Sequence, residues 1–474
     1  MRALIPLLLA FAGIASAQKT KVDALYETHC AGCHGAKFEG GVGGSLVDGE
    51  WKHGSSDADI YRSIAKGNIP LGMTPWEGVL SADQIRSLVI FLREKEKQTL
   101  TQGMEFPKPS PYKVTKTELH DYRIETLVEN GIKNPWAIAF LPDGRRLVTE
   151  KSGKLRIISK SGQLEPDPVE GTPKVVEHGQ GGLMEVAIHP DYKKNGWIYL
   201  GFSDGTRGKN DKGNEEVRCT TSVVRGKLKG KRWVDEEWIY RAAPEHRSGA
   251  GVHFGTRFVF DKGYLYFVIG ERGGMMEAQS IKFPHGKIHR VFDDGRVPKD
   301  NPFVKEEDAI PSIWSYGHRN PQGLALDPRD GSIYNTEHGP RGGDELNLIK
   351  KGINYGWPVI TYGMNYDGTP MVSITEKEGM EPPLTYWVPS IAVCGLDFYT
   401  GNKFPKWKND LLAGALAQQE VRRIRIENRK VVSQEIILKN IGRVRDVATG
   451  PDGFIYVILN DPDRIVRIVP AGAE

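Results

Sequence analysis

Hydrophobic positions follow two rhythms along this chain, and the change from one to the other divides it. Between residues 82 and 97 apolar side chains recur at Ile85, Leu88, Val89 and Leu92, the 3- and 4-residue spacing of one helix face. Ser81 and Gln84 ahead of that stripe read as a capping box that opens the helix. From about residue 122 the helical period is gone, and one phrase returns instead: an apolar run, a Pro-Asp or Asp-Gly turn, then a second β-rich run. It occurs at Phe140-Leu141-Pro142-Asp143-Gly144, Ile188-His189-Pro190-Asp191, Phe260-Asp261-Lys262-Gly263, Asp327-Pro328-Arg329-Asp330-Gly331 and Pro451-Asp452-Gly453. The aspartates at 143, 191, 261, 330 and 452 lie 48, 70, 69 and 122 residues apart. The last gap is twice 61, which predicts a degenerate sixth copy at Phe398-Tyr399-Thr400-Gly401. Six units of roughly 58 residues each hold a four-stranded antiparallel blade with its loops. A β-sandwich uses similar turns, but the long repeat predicts an all-β six-bladed β-propeller, preceded by a small all-α domain.

The ends of these regions are marked by composition. Met1-Arg2 is a short basic start, residues 3–13 are apolar, and Ala15-Ser16-Ala17 offers the small residues of a processing site. Residues 1–17 are therefore expected to be a signal peptide cleaved near Ala17, which places the mature chain in the periplasm. No later segment reaches the ~18 apolar residues of a membrane span, so no integral membrane segment is expected. Phe106-Pro107-Lys108-Pro109-Ser110-Pro111 cannot be helix or inner strand and reads as a stiff linker. The expected plan is a leader (1–17), a small domain (18–97), a linker (98–121) and the propeller (122–474). Charge adds little: 64 Lys+Arg against 60 Asp+Glu is too even for a nucleic-acid partner, and 39% hydrophobic content excludes a disordered chain.

The four cysteines are too few for a disulfide scaffold. Cys30-Ala31-Gly32-Cys33-His34 is the C-x-x-C-H pattern, in which two thiols add to the vinyl groups of one haem and the histidine lies under the iron. Zinc would need a second Cys/His pair, and a redox dithiol has no use for the histidine. Met73, in Gly72-Met73-Thr74-Pro75 and 39 residues after His34, is the candidate sixth ligand, since a thioether stabilises Fe(II). These residues resemble a small class I cytochrome c over about residues 20–97.

In the propeller, polar residues on loops after apolar runs are the candidates for chemistry. Gln180 stands among glycines in Gly179-Gln180-Gly181-Gly182, and His253 precedes a β-rich run in Gly251-Val252-His253-Phe254-Gly255-Thr256-Arg257. Arg319, Asn320 and Gln322 share one turn, and Arg443 and Arg445 are two apart, which on a strand sends both guanidinium groups to one face. Singly, such a histidine is equally a structural group, and such arginines equally a solvated surface. Together they reach only as far as a site for an oxidised, anionic, planar ligand. Glu337-His338-Gly339-Pro340-Arg341-Gly342-Gly343-Asp344-Glu345 reads either as a Ca²⁺ loop or as an ordinary acidic turn.

At these clusters the sequence resembles the soluble quinoprotein glucose and aldose sugar dehydrogenases, the glucose/sorbosone dehydrogenase family. The pieces that carry the resemblance also include Asn134-Pro135-Trp136, Asn354-Tyr355-Gly356-Trp357-Pro358, Trp387-Val388-Pro389-Ser390 and Arg443-Val444-Arg445-Asp446. The resemblance implies a six-bladed propeller binding pyrroloquinoline quinone (PQQ) and Ca²⁺, with oxidation of a sugar or related alcohol at the anomeric hydroxyl. It implies that His253 is the general base, that Arg319 stabilises negative charge on the cofactor, and that Glu271 orients the base where relatives have aspartate. Gln180, Asn320, Arg443 and Arg445 would contact cofactor or substrate, and Trp387 would form an aromatic wall. The carbonyls of Gly339 and Pro340 would hold the cofactor Ca²⁺, and Glu345 and Tyr355 a second calcium. Ala417 stands where the glucose enzymes carry lysine, which points to the aldose branch. Fusion to haem c implies that electrons leave through the haem to an external acceptor, and tethering raises the effective concentration of that relay. Two other readings use the same residues: a Ca²⁺-bearing carbohydrate- or partner-binding propeller with a haem shuttle, and a lactonase-like hydrolase. The second leaves the haem motif and the Arg443/Arg445 pair unexplained. Whether Cys219 and Cys394 pair is left open.

Overall fold

A computed structural model describes residues 20–102, 110–371 and 374–472. The expected leader and the Phe106–Pro109 part of the linker lie outside the described residues. Packing divides the chain into a helical unit (residues 1–96 with 364–371) and a β unit (97–363 with 372–474).

In the helical unit the capping box forms: Ser81 N–H donates to Gln84 Oε1 at 2.8 Å and Gln84 N–H to Ser81 Oγ at 3.3 Å. The helix it opens, Ala82–Thr101, continues past residue 97 and buries Ile85, Leu88, Val89 and Leu92. Each such side chain is worth about 1.5–3 kcal/mol when fully withdrawn from water. Tyr26, on the first helix Val22–His29, lies 4.2 Å from Phe38 and 6.2 Å from Phe91 between ring centroids, which ties the first helix to the last. No helix among the described residues is long and apolar enough to cross a membrane.

The β unit is a six-bladed propeller of antiparallel sheets, five of four strands and one of three among the described residues. Blades 1 to 6 begin with the innermost strands Pro135–Phe140, Leu183–Ile188, Phe258–Asp261, Pro321–Leu326, Val393–Phe398 and Arg443–Thr449. Every copy of the recurring phrase, the degenerate one included, falls in the first hairpin of its blade. The ring closes in blade 6, where Tyr122–Val128 pairs with the C-terminal strand Arg464–Pro470, Ile124 opposite Ile468. Each gap between neighbouring blades has its own apolar cluster. Ile138 and Val148 meet Tyr456 and Ile458 between blades 1 and 6, for example, and Tyr199 and Val223 meet Phe267 and Val291 between blades 2 and 3. A blade is thus covered on both faces, which is why Ile455–Asn460 is buried at every position and its first five residues read as a continuous apolar run rather than an alternating one.

One irregularity is shared by all blades but the third. The innermost strand slips register near its start: between Pro135 and Ile138, Leu183 and Glu185, Pro321 and Gly323, Val393 and Leu396, and Val444 and Asp446. Bulges bend a strand and re-aim the side chains they carry. Trp136 and Ala137, Met184, Gln322, Cys394 and Gly395, and Arg445 are the residues at these slips.

Candidate active site

His253 lies on the loop before the blade 3 innermost strand, with φ +52°, a left-handed backbone uncommon for a residue with a Cβ. Its N–H donates to Gln180 Oε1 at 2.9 Å, so the oxygen of the exposed Gln180 side chain holds the loop. The ring contacts Glu271, Nδ1 against Oε1. Glu271 is buried, and its own N–H donates to the Arg319 carbonyl at 2.8 Å. Gly270 is needed before it, because a Cβ there would lie 2.2 Å from the His253 carbonyl oxygen. Burial pushes the His253 pKa below its ordinary value, with Arg319 and Arg272 adding to that, while Glu271 opposes it. Burial alone would raise the Glu271 pKa, but the bond and charge of His253, the Met275 N–H and the Arg319 charge together outweigh it and hold the carboxyl below its usual value. The pair is therefore a neutral imidazole with a carboxylate on Nδ1, which leaves Nε2 as the basic nitrogen.

Arg319 and Asn320 are fixed from blade 4. Arg319 N–H donates to Glu337 Oε2 at 2.7 Å, and Glu337 Oε1 also takes His318 Nδ1 at 3.0 Å and Asn347 Nδ2 at 2.9 Å. The Arg319 guanidinium lies 5.0 Å from the Trp357 ring and donates to the carbonyls of His338 at 3.2 Å and Gly339 at 2.5 Å. The Gly339 carbonyl expected to face Ca²⁺ thus already accepts from a guanidinium; a carbonyl oxygen has a second lone pair. Asn320 Oδ1 accepts from Gly255 N–H at 3.3 Å and from Gln322 Nε2 at 3.1 Å. Gln322 Oε1 in turn receives Arg445 Nη1 at 3.3 Å. Arg445 lies 5.7 Å from the Trp136 ring.

The fold therefore gathers Gln180, His253, Glu271, Arg319, Asn320, Gly339 and Arg445 into one connected set. Arg443 does not share it: its side chain is 41% exposed and stands 3.7 Å from Asp461. Trp387 is packed in the cluster between blades 4 and 5, with Nε1 donating to Gln434 at 3.0 Å. Pro340 is buried on the loop after Gly339. Glu345 is the cross-strand neighbour of Glu337 and shares Asn347 Nδ2 with it at 3.2 Å. Burial, then the Glu337 charge, pushes the Glu345 pKa well up. The Tyr355 hydroxyl is occupied by the Leu348 carbonyl at 2.6 Å and Lys350 N–H at 2.8 Å, and its ring stacks on His318. Among the described residues no three His, Cys, Asp or Glu side chains cluster as a metal would need. Cys219 and Cys394 are both free and buried. Sequence reasoning named Gln322 among the polar groups of its turn and Glu337 in the acidic loop, but passed over Arg272. The Arg272 guanidinium lies 3.4 Å from the Phe254 ring and donates to the carbonyls of Val252 and Ala250, bracketing His253. The signal of Arg272 was weak, since it acts through its neighbours.

In the helical unit, Cys30 and Cys33 are free thiols at the two ends of one helical turn. His34 Nδ1 stands 2.8 Å from the Gly44 carbonyl, so the ring donates there and keeps Nε2 as its basic nitrogen. Met73 follows Gly72, which is left-handed at φ +83°, and exchanges backbone hydrogen bonds with Asn68.

Comparison with known proteins agrees with this geometry. The family model for glucose/sorbosone dehydrogenase matches residues 132–467, and that for cbb3-type cytochrome c oxidase subunit III matches residues 17–92. The aldose sugar dehydrogenase YliI of Escherichia coli is 41% identical over 353 residues, 73% of this chain and 92% of that protein. The crystal structure of the soluble E. coli aldose sugar dehydrogenase in its apo form aligns with TM-score 0.68 at 38% identity, over 74% of this chain and 99% of that one. The PQQ-bound aldose sugar dehydrogenase of Streptomyces coelicolor aligns with TM-score 0.59 at 25% identity, over 76% and 99%. With a propeller of that fold and a cytochrome c region ahead of it, the chain belongs to the glucose/sorbosone dehydrogenase family.

Proposed function

We propose that the chain is a periplasmic, PQQ-dependent aldose dehydrogenase that oxidises the anomeric hydroxyl of a sugar and carries its own haem relay. The observation that carries this is the His253–Glu271 pair beside the buried Arg319 guanidinium. The donor set fits the cofactor: cationic and amide groups from Gln180, Arg319, Asn320 and Arg445 suit a planar ring bearing carboxylates and quinone oxygens. Bound there, PQQ would supply the two-electron, hydride-accepting chemistry. His253 Nε2 takes the hydroxyl proton, and Glu271 on Nδ1 fixes the tautomer and steadies the imidazolium that results. Arg319 offers a preorganised positive charge where negative charge develops. The carbonyls of Gly339 and Pro340 would hold Ca²⁺, with Glu345 and Tyr355 at a second calcium; Arg443 contributes charge at the rim, and Trp387 supports the wall from behind.

The thiols and imidazole of the helical unit fit haem c. Cys30 and Cys33 would bind it covalently, His34 and Met73 would be its axial ligands, and it would pass single electrons to an external acceptor. The test is to reconstitute the protein with PQQ and Ca²⁺, add a panel of aldoses and follow the haem α-band beside an artificial dye. Growth of the α-band on an aldose is expected. Bound quinone with neither dye nor haem reduced by any aldose would leave a binding propeller instead.

A further inference from the structure

Arg257, the last residue before the blade 3 innermost strand, is buried, and its guanidinium meets residues of the five other blades. Nε donates to the Gln322 carbonyl of blade 4 at 2.8 Å. Nη1 reaches Glu185 of blade 2 at 3.1 Å and Asp446 of blade 6 at 2.8 Å. Nη2 donates to the Arg445 carbonyl of blade 6 at 2.8 Å and stands 3.9 Å from Cys394 Sγ of blade 5. The guanidinium carbon lies 4.2 Å from the Trp136 ring of blade 1. Trp136, Gln322, Cys394 and Arg445 are bulge residues, the positions where four innermost strands slip register. The innermost strand of blade 3 has no bulge, and the residue just ahead of it supplies the group on which the others converge.

We propose that Arg257 is a positioning residue for the cofactor side of the site: it holds the Arg445 bulge and the Gln322 backbone, and through them the Arg445–Gln322–Asn320 chain of donors. This rests on the functional reading above. The planar fork is what the role requires. It has donors for three sides at once, whereas lysine offers one point of charge. A cation alone would balance Glu185 and Asp446; it would not hold the carbonyls of Gln322 and Arg445.

The test compares wild type, Arg257→Lys and Arg257→Met in three measurements. These are quinone affinity by titration, hydrogen exchange of peptides covering 318–324 and 443–449 in quinone-free protein, and alkylation of Cys394 mapped by mass. The wild type should protect both peptides and Cys394. Arg257→Lys should recover most of the melting temperature lost by Arg257→Met, yet bind quinone about 10–100-fold more weakly than wild type, the range for groups that orient a ligand's contacts. Both variants should exchange faster in 443–449 and expose Cys394. Where Arg257→Met does not fold, Arg257→Met/Glu185→Gln/Asp446→Asn removes the stranded charges and is read in the same way. If the variants lose melting temperature but keep quinone affinity, slow exchange and a protected Cys394, Arg257 is a brace only and the proposal falls. A wild type that binds no quinone overturns the functional reading, while exchange and alkylation still judge the hold on Arg445.

Discussion

Replacing Glu271 by Gln tests the proposed base through its pH profile. Burial, Arg319 and Arg272 all act against protonation of His253, and Glu271 is the group that favours it. The substitution keeps shape and removes the charge that opposes them. A hydrogen bond to a charged group is worth about 1.5–3 kcal/mol, and 1.36 kcal/mol is one pKa unit, so the imidazole should become about 1–2 units less basic. The sign follows directly. Activity is lost on acidification because protonated His253 accepts nothing, so a less basic ring is protonated later and the acid limb of kcat/KM moves to lower pH by about 1–2 units. The plateau should fall roughly 10–100-fold, since the weaker base takes the proton less readily and the ring loses its anchor. The assay is dye-linked sugar oxidation by reconstituted protein from pH 4 to 9, with quinone affinity measured alongside. The deficit relative to wild type should narrow towards low pH. An acid limb that stays in place, or moves to higher pH, would refute the assignment of His253 as the base held by Glu271. Glu271→Asp keeps the charge on a shorter arm and should leave the limb near its wild-type position while lowering the plateau.

Met73→Ala should alter the haem spectrum and stop substrate-driven haem reduction while dye-linked oxidation survives, which a paired spectrum and dye assay would show. Val466→Asp puts an unpaired carboxylate at a fully buried position of the strand that closes the ring, so stability should drop by about 3–5 kcal/mol, read by chemical denaturation. His289 is buried with Nδ1 on Ser312 Oγ and Nε2 on the Pro284 carbonyl, both at 3.0 Å, and burial holds its pKa down at about 3. The unfolded ring binds a proton below about 6.5 that the folded ring refuses. It therefore costs stability as pH falls from about 6.5 towards 3, by up to about 1.4 kcal/mol per pH unit. His289→Gln should flatten the fall of melting temperature between pH 6.5 and 4.

The fold was legible because both of its rhythms are local. A helix face needs only its own 3- and 4-residue spacing, and Ile85, Leu88, Val89 and Leu92 carry it. A blade needs a turn after its first strand, and Pro142-Asp143, Asp330-Gly331 and Pro451-Asp452-Gly453 supply it whatever the rest of the molecule does. Even the degenerate copy at Tyr399-Thr400-Gly401 was recoverable from the doubled gap. Blade 1, with three strands among the described residues, shows what the repeat does not encode: it marks where a blade starts and says little about how many strands follow.

The site was legible only in part, and Arg443 and Arg445 show why. Period 2 along an ideal strand sends both to one face. The register slip between Val444 and Asp446 falls on Arg445, and the two arginines end in different surroundings: Arg443 near Asp461 at the rim, Arg445 against Gln322 and Trp136. A bulge is set by the match between two strands and by what fills the space behind it, so a single strand's sequence does not announce it. The same holds for Gln322 and Cys394. Their side chains lie where register is lost, and the loss is tolerable because Arg257 satisfies buried carbonyls and carboxylates beside the slips. Motif residues such as His253 and Arg319 are visible in sequence because they stand in the segments that carry the family resemblance. The groups that aim them become visible only once the ring has closed.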